Sequence, residues 1–211
     1  MKIMKNILKV KIRRTKPAIF FSVLLVVIFG VMQAMETRSA STDQIDLSVE
    51  VATAIDISCP NPSAFGTLTA GTPETTTATC TVTTNGENGY NLQIKKENAT
   101  TLTNGANSIP DKTAWDSSTP NSAVWSGTGL GFRVMQTGTD EGYSTTWWGT
   151  DDTDPNALYA GLPSSYETIL NDTTYSSSST ETVVEFKVDV SASQASGTYT
   201  GTATFQGVVN P

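Results

Sequence analysis

The sequences ETTTATCTVTT at residues 74–84 and VEFKVDV at residues 184–190 decide the fold class of this chain. From Ala78 onward in the first, and throughout the second, apolar side chains alternate with polar ones. An extended strand then has one apolar and one polar face. This period of two is typical of a strand in an antiparallel sheet that buries one side. Threonine favours such half-exposed strands, and glycine favours the turns between them.

The same alternation recurs along the rest of the chain. It predicts further strands over residues 45–59, 90–95 and 199–209, while no sustained helical period follows Met35. We therefore expect an all-β domain built as an antiparallel β-sandwich, immunoglobulin-like or jelly-roll-like, with roughly seven to nine strands. A sheet closed on itself is the alternative architecture.

Residues 100–180 show the alternation more weakly, since they contain four prolines, a GTDDTDPN stretch and a run of serines. This composition predicts a loop-rich insertion with short strands around residues 130–136, 144–148 and 166–170. Because loops carry much of the functional variation of a domain, we expect any binding surface to lie here.

The N-terminal part of the chain has the organisation of an export segment. Seven basic residues fall within residues 1–16, and an apolar stretch over 17–35 would form a helix about 28 Å long, close to the thickness of a bilayer. Residues 36–44 then form a linker to the β domain at 45–211. The charge distribution predicts a cytoplasmic N-terminus and a domain on the extracellular face of the membrane, or secreted if the segment is cleaved. A retained transmembrane helix and a cleaved signal peptide both remain open.

The two cysteines, Cys59 and Cys80, both fall on the apolar phase of predicted strands. An even number of cysteines in an exported chain favours a disulfide between them. The alternative is a pair of separate buried thiols.

Composition excludes several kinds of chemistry. The chain has 20 acidic and 13 basic residues and no histidine, and from Ser39 onward 19 acidic residues stand against five basic ones. This excess of negative charge from Ser39 onward does not favour binding to a phosphate backbone. We therefore expect no nucleic-acid partner. The lack of histidine excludes Ser-His-Asp and Cys-His nucleophile systems. Glycoside hydrolysis by a pair of carboxylates is the weakest alternative, because nothing in the sequence singles out such a pair. We expect a protein that is not an enzyme.

One short acidic stretch resembles the start of a calcium-binding loop. Asp152, Asp154 and Asn156 alternate, as hard-cation ligands do, but Ala157 and Pro163 occupy the places of the glycine and glutamate that such a loop needs. A solvated turn is the favoured interpretation, a calcium site the alternative, and no other cofactor is expected.

Four tryptophans lie in the predicted insertion: Trp115, Trp125, Trp147 and Trp148. Neighbours in a strand point to opposite faces, so Trp147 and Trp148 cannot both be buried in a one-sided sheet. An exposed indole could stack on a sugar ring or contact another subunit. The alternative is that the second ring packs beneath a neighbouring loop.

The two ends of the body carry a resemblance. The sequences AFGTLTAGTPETTTATCTVTTNGENGYNLQI at 64–94 and ASGTYTGTATFQGVVNP at 195–211 resemble exported β-sandwich surface domains of Gram-positive and candidate-phylum bacteria. The chain is also distantly similar to wall-binding domains named for a Trp-x-Leu motif, although it contains no such motif. The resemblance implies a sandwich fold and an extracellular location, and it implies no catalytic residue.

These observations predict a non-enzymatic cell-surface protein with a structural or adhesive β-sandwich. The alternatives are a carbohydrate-binding module that uses exposed tryptophans and a self-associating pilus-type or matrix-type subunit. The expected partners are the membrane, through the N-terminal helix, and envelope components, glycans or further copies of the chain. The closing strand over 199–209 is uncharged, and we expect it to pair with the first strand inside a sheet; an edge available to another chain is the alternative.

Overall fold

The computed structural model of this chain describes residues 43–175 and 178–211. The predicted helix over 17–35 and the basic segment before it lie outside these residues. The chain divides into two compact units, Met1–Val49 and Glu50–Pro211. Every described strand lies in the second unit. Among the described residues, no helix has the length and apolar character needed to cross a membrane.

The described residues form an almost entirely β structure, as predicted, with antiparallel sheets and one single-turn helix. The elements, in chain order, are β1 (Ile55–Ser58), β2 (Glu74–Thr84), β3 (Tyr90–Lys96), β4 (Leu102–Asn104), β5 (Asn107–Ile109), β6 (Ala123–Val124), β7 (Gly129–Val134), α1 (Thr145–Trp148), β8 (Leu158–Tyr159), β9 (Glu167–Asp172), β10 (Thr180–Asp189) and β11 (Ala203–Val209).

Two main sheets contain seven of these strands. The larger has the order β1-β2-β10-β7, and its longest ladder joins β2 to β10 from Val82 opposite Thr180 to Glu74 opposite Val188. The smaller has the order β11-β3-β9, with a register shift in β3 between Leu92 and Gln93. Two short ribbons, β4-β5 and β6-β8, complete the strand pairing.

Both main sheets contribute to one hydrophobic core. The period of two predicts the inward residues of β2, β3 and β10, because their apolar positions on the inward face are buried. Those positions are Ala78, Cys80, Val82, Tyr90, Leu92, Ile94, Val184, Phe186 and Val188. In β10 the polar residues Lys187 and Asp189 on the opposite face are buried as well.

The predicted disulfide between Cys59 and Cys80 is confirmed. Cys59 directly follows β1 and Cys80 lies in β2, with their Cα atoms 4.2 Å apart. The bond fixes the end of β1 to its neighbour at the point where their ladder stops, since the last pair is Ser58 with Thr81.

The predicted first strand over 45–59 is wrong for most of its length. Only Ile55–Ser58 pairs with another strand, while residues 43–54 have no regular secondary structure. The apolar alternation is present in this stretch, but a strand also needs a partner edge. Among the described residues no strand pairs with residues 45–54.

The predicted strand around 144–148 is also wrong, since these residues form α1. The amides of Trp147 and Trp148 both donate to the carbonyl oxygen of Ser144. Successive side chains on a helix diverge by about 100° rather than pointing to opposite faces, so both indoles can approach the same cluster.

Residues 100–180 are an integral part of the fold rather than an appended insertion. The predicted strands around 130–136 and 166–170 are present as β7 and β9, and they belong to the larger and the smaller main sheet. Trp115, Phe132 and Trp148 from this stretch are buried in the shared core.

The expected pairing of the closing strand with the first strand is wrong. Strand β11 pairs with β3 alone over all seven of its residues, and it lies at an edge of the smaller sheet. Ile55 of β1 approaches β11 through its side chain instead: a Cβ added to Gly207 would lie 2.9 Å from Ile55 Cδ1. The contact is therefore one of side-chain packing between sheets and not a shared ladder.

Candidate functional site

Three of the four tryptophans lie in one cluster. Trp115 and Trp148 are fully buried, with ring centroids 4.6 Å apart, and each indole N–H donates to a backbone carbonyl of β9, that of Thr168 or Ile169. Trp147 is half-buried and meets the ring of Trp115 edge-on at 5.5 Å. Trp115 and Trp148 are therefore core residues that no ligand can reach in this structure.

Trp125 is apart from this cluster, and its ring is already covered. It is half-buried, the ammonium group of Lys112 lies 4.2 Å from its ring centroid, and Tyr159 meets it edge-on at 5.3 Å. Lys187 approaches the same ring at 5.3 Å. The four indoles thus do not form a common exposed surface for a sugar ring.

The predicted calcium ligands do not converge. Asp152 binds Arg133 and the amides of Gln136 and Thr137, while Asp154 forms an ion pair with Lys187 at 2.8 Å. Asn156 donates through its amide to Asp151 rather than offering its oxygen. Among the described residues there is no group of three or more acidic or cysteine side chains that could hold a metal ion. Asp152, Asp154 and Asn156 therefore engage three different partners.

Arg133 is the feature of this region that the sequence pattern did not reveal. Its side chain is fully buried on β7, and its guanidinium pairs with the Asp152 carboxylate, which is 15% exposed. Burial acts to raise the pKa of Asp152, but hydrogen bonds from Thr137 and Gln136 and the charge of Arg133 outweigh it, so the pKa lies below its ordinary value. The pair is a structural connection between β7 and the loop at 150–156.

A second polar group lies on the same outer face of the larger sheet. The Tyr159 hydroxyl donates to Glu185 at 2.6 Å, and Lys187 lies 4.8 Å from the tyrosine ring centroid. Burial, together with the Glu185 carboxylate, raises the pKa of Tyr159 well above its ordinary value. These groups satisfy one another, so the arrangement holds the β6-β8 ribbon on the sheet.

Each of the five basic residues in the described part of the chain faces a carboxylate or an aromatic ring. Lys95 pairs with Glu97 at 3.3 Å and Lys96 with Asp111 at 2.7 Å. Arg133 and Lys187 pair with aspartates as described above, and Lys112 lies over Trp125. The positive charge of the domain is therefore distributed in local pairs and does not gather into a patch.

An apolar groove of about 1000 Å³ opens at the end of the domain where β2 and β11 begin and β10 ends. Its aromatic and aliphatic lining comes mainly from the stretch after Cys59 and from the stretch that leads into β11. The large lining side chains include Phe65, Leu68, Leu102, Phe186, Tyr199 and Phe205. Phe65 and Leu68 belong to the FGTLT sequence, so this sequence forms a wall of the groove.

The edge of β11 adjoins this groove. Its first three residues include Ala203 and Phe205, both of which line the groove, and none of its seven residues is fully buried. No other described strand pairs with the edge of β11 that faces away from β3. The groove and this edge together form the candidate interaction site of the domain.

No family model, curated protein or solved structure matches this chain.

Proposed function

We propose that this chain is a non-enzymatic, exported cell-surface protein whose β domain has a structural or adhesive role. The observation that carries the proposal is the disulfide between Cys59 and Cys80 in an all-β domain. Disulfides persist in oxidising compartments and are rare in the cytosol, so the bond supports export. The basic residues within 1–16 and the apolar stretch at 17–35 also support export, because they favour a cytoplasmic N-terminus with the β domain outside the membrane.

The proposed architecture is a β-sandwich, immunoglobulin-like or jelly-roll-like. It is supported by two antiparallel sheets whose inward side chains contribute to one core, with β1 of one sheet packing against β11 of the other. Facing sheets of this kind bury one side each, which agrees with the alternation of apolar and polar residues along the strands.

The contacts of the polar groups support the non-enzymatic part of the proposal. The charged side chains around Arg133 and Tyr159 are engaged with one another, and the groove is lined mainly by apolar and hydroxyl side chains. Such a surface favours binding to another polypeptide rather than acid–base chemistry.

Protease accessibility in intact cells tests export. The full chain is produced in a bacterial host, intact cells are treated with protease, and thiols are alkylated with and without reductant. We expect a digested domain and cysteines that react only after reduction, with the Cys80→Ser variant as the thiol control. A protected domain with two freely alkylated cysteines would contradict export.

The fate of the N-terminal segment is decided by the N-terminus of the exported protein. A retained helix gives full-length protein in the membrane fraction that resists extraction with carbonate. A cleaved signal gives a mature N-terminus between Met35 and Ser41. The alternative function is carbohydrate recognition. It would be favoured if the protein bound selectively to a glycan array and the Trp147→Ala variant did not.

A further inference from the structure

One segment has the pattern of a strand but pairs with no strand among residues 43–175 and 178–211. In residues 45–51, four apolar side chains alternate with Asp46, Ser48 and Glu50. Among the large hydrophobic side chains of the described residues, these four are the most exposed: Ile45 80%, Leu47 92%, Val49 90% and Val51 75%. Single exposed apolar residues are ordinary on a protein surface, but four at alternate positions of one short segment indicate a surface that is covered in use. We refer to residues 45–51 as the donor segment.

The edge of β11 has the features of an acceptor for a strand. Natural edge strands are protected by lysine, proline or a bulge, whereas the sequence ATFQGVV of β11 contains no charge and no proline and its ladder with β3 shows no register shift. Strand β11 is seven residues long and so is the donor segment. Its inward positions Ala203, Phe205, Gly207 and Val209 match the spacing of the four apolar side chains of the donor segment.

The groove provides the volume for the apolar side chains of an added strand. It is bordered by Ala203 and Phe205 at the start of β11 and by Phe65 and Leu68 on the opposite wall. A strand added along the outer edge of β11 directs alternate side chains between the two sheets, over these groups. Phe65, Leu68, Ala203 and Phe205 are only partly buried in the single chain, which leaves apolar area for the strand to cover.

The attachment of residues 52–54 points to a different copy of the chain as the source of the donor. The Asn85 side chain bonds the carbonyl of Ala52 at 2.9 Å and the amide of Ala54 at 2.6 Å, and the Asn85 amide bonds the carbonyl of Ala54 at 3.2 Å. Gly86, the neighbour of Asn85, lies against Val209 at the end of β11, so these bonds hold residues 52–54 at that end. A donor segment that starts there reaches the edge of β11 in its own chain only by turning back, whereas the edge of another copy requires no turn. The three hydrogen bonds hold the backbone at that point.

We propose that the donor segment of one copy adds as a strand to the β11 edge of a second copy and places its apolar side chains in the groove. The proposal deepens the structural role proposed above, on which it rests, by naming a second copy as the partner. Donor and acceptor are different surfaces of the same chain, so the contact is head-to-tail and each added copy offers a new donor or acceptor. Repetition produces a chain of copies, which is an open filament unless the rotation between copies closes it into a ring.

Charge placed on one face of the donor segment tests the proposal. The full chain is purified in detergent, and its size distribution is measured by sedimentation over a range of concentrations. We expect multimers for the unsubstituted chain and for Ser48→Glu, whose charge lies on the polar face, and at least a tenfold loss of multimers for Leu47→Glu/Val49→Glu. A circular dichroism spectrum and an intact disulfide confirm that each variant is folded.

Three results overturn the proposal: a monomeric unsubstituted chain, equal multimers in all variants, or equal loss with Ser48→Glu. None of them changes the protease accessibility of the domain in intact cells. A failure of this inference is therefore distinguishable from a failure of export.

Crosslinking identifies the acceptor and separates it from pairing within one chain. Gln206, an exposed residue on the polar face of β11, is replaced by the photoreactive residue p-benzoylphenylalanine. Equal amounts of ¹⁴N-labelled and ¹⁵N-labelled protein are mixed, dissociated and reassembled before irradiation. We expect adducts between position 206 of one copy and residues 43–54 of another, so that light peptides are joined to heavy ones. Adducts that join peptides of one label only, or adducts outside residues 43–54, overturn the proposal.

Discussion

At the scale of single residues, Arg133 and Asp152 form an ion pair whose guanidinium is fully buried. A buried guanidinium needs a partner, because its transfer from water to the interior is costly. Arg133 is fully buried, and it finds Asp152 together with the backbone carbonyls of Val134 and Asp151. Asp152 in turn accepts hydrogen bonds from two amides of the chain after β7. Removal of one partner leaves the other buried and unpaired.

The substitution Asp152→Ala should therefore lower the free energy of unfolding by about 3–5 kcal/mol, the range found when one member of a buried pair is removed. Denaturation with urea measures this change. Lys95→Ala is the control, because Lys95 and its partner Glu97 form an exposed pair, with side chains 27% and 40% exposed. Its expected effect is below about 1 kcal/mol. Equal effects of the two substitutions would show that Arg133 does not depend on Asp152.

The same pair predicts a dependence of stability on pH. The pKa of Asp152 is lower in the folded protein than in the unfolded chain, so its ionised form stabilises the fold. That contribution is complete above the unfolded value of about 4 and is lost as the pH falls through the lower folded value. We expect the difference in unfolding free energy between the unsubstituted chain and Asp152→Asn to be largest at neutral pH and to shrink below about pH 4. A difference that stays constant with pH would assign the effect to packing alone.

At the scale of single elements, the alternation of apolar and polar residues was sufficient where a strand has a partner in its own chain. It predicted β2, β3, β10 and the inward phase of each, because burial of one face imposes a period of two. It failed at residues 45–54, because the pattern records which face is apolar and not whether a neighbouring edge exists. It failed at Trp147 and Trp148 because the helix α1 has only four residues. One turn contains about one helical period, so no repeat is visible in the sequence.

The candidate site was less accessible to sequence reasoning than the fold. The partners of Arg133 lie up to 19 residues away in the chain, and a lone arginine between apolar neighbours was the only signal. The position of the groove depends on the order of the strands in the two sheets. The alternation of apolar and polar residues does not specify that order. The disulfide was predictable because the sequence itself shows what it requires: two cysteines, each on the inward phase of a strand pattern.

The end of β11 is held by one side chain, that of Asn210. Its amide group donates to the carbonyls of Asn88 and Asp172, both at 2.8 Å, and its oxygen accepts from the Asn91 side chain at 2.6 Å. The turn before β3 is shaped for this contact, because Gly89 has a φ of +74° and a Cβ there would overlap the Asp172 carbonyl. Asn210 therefore connects the ends of all three strands of the smaller sheet.

The substitution Asn210→Ala should lower the free energy of unfolding by about 1–3 kcal/mol, because several carbonyl and amide groups lose their partner. Thermal or urea denaturation measures the change. Asn98→Ala, at an exposed turn, is the control and should change stability by less than about 0.5 kcal/mol. If Asn210→Ala behaves like the control, water replaces the side chain and β11 is held by its ladder alone.

At the scale of the whole molecule, the middle of the sequence contributes to both main sheets and to the core that they share. β7 and β9 from residues 100–180 complete one edge of each sheet, and the indoles of Trp115 and Trp148 lie between them in the core. The indole N–H groups also bond the backbone of β9. The segment with the weakest strand pattern thus supplies the largest buried side chains.

This arrangement predicts that the domain unfolds in a single transition. All four tryptophans lie between residues 115 and 148, so their fluorescence reports on the middle segment, while far-ultraviolet circular dichroism reports mainly on the strands of both sheets. Because the segment and the sheets share one core, the two signals should change at the same urea concentration. Phe132→Ala, which removes a fully buried ring 5.3 Å from that of Trp148, should lower both midpoints together, with a loss of about 3–5 kcal/mol. A fluorescence change that precedes the loss of circular dichroism would instead mean that residues 100–180 open as a separate unit, as an appended insertion would.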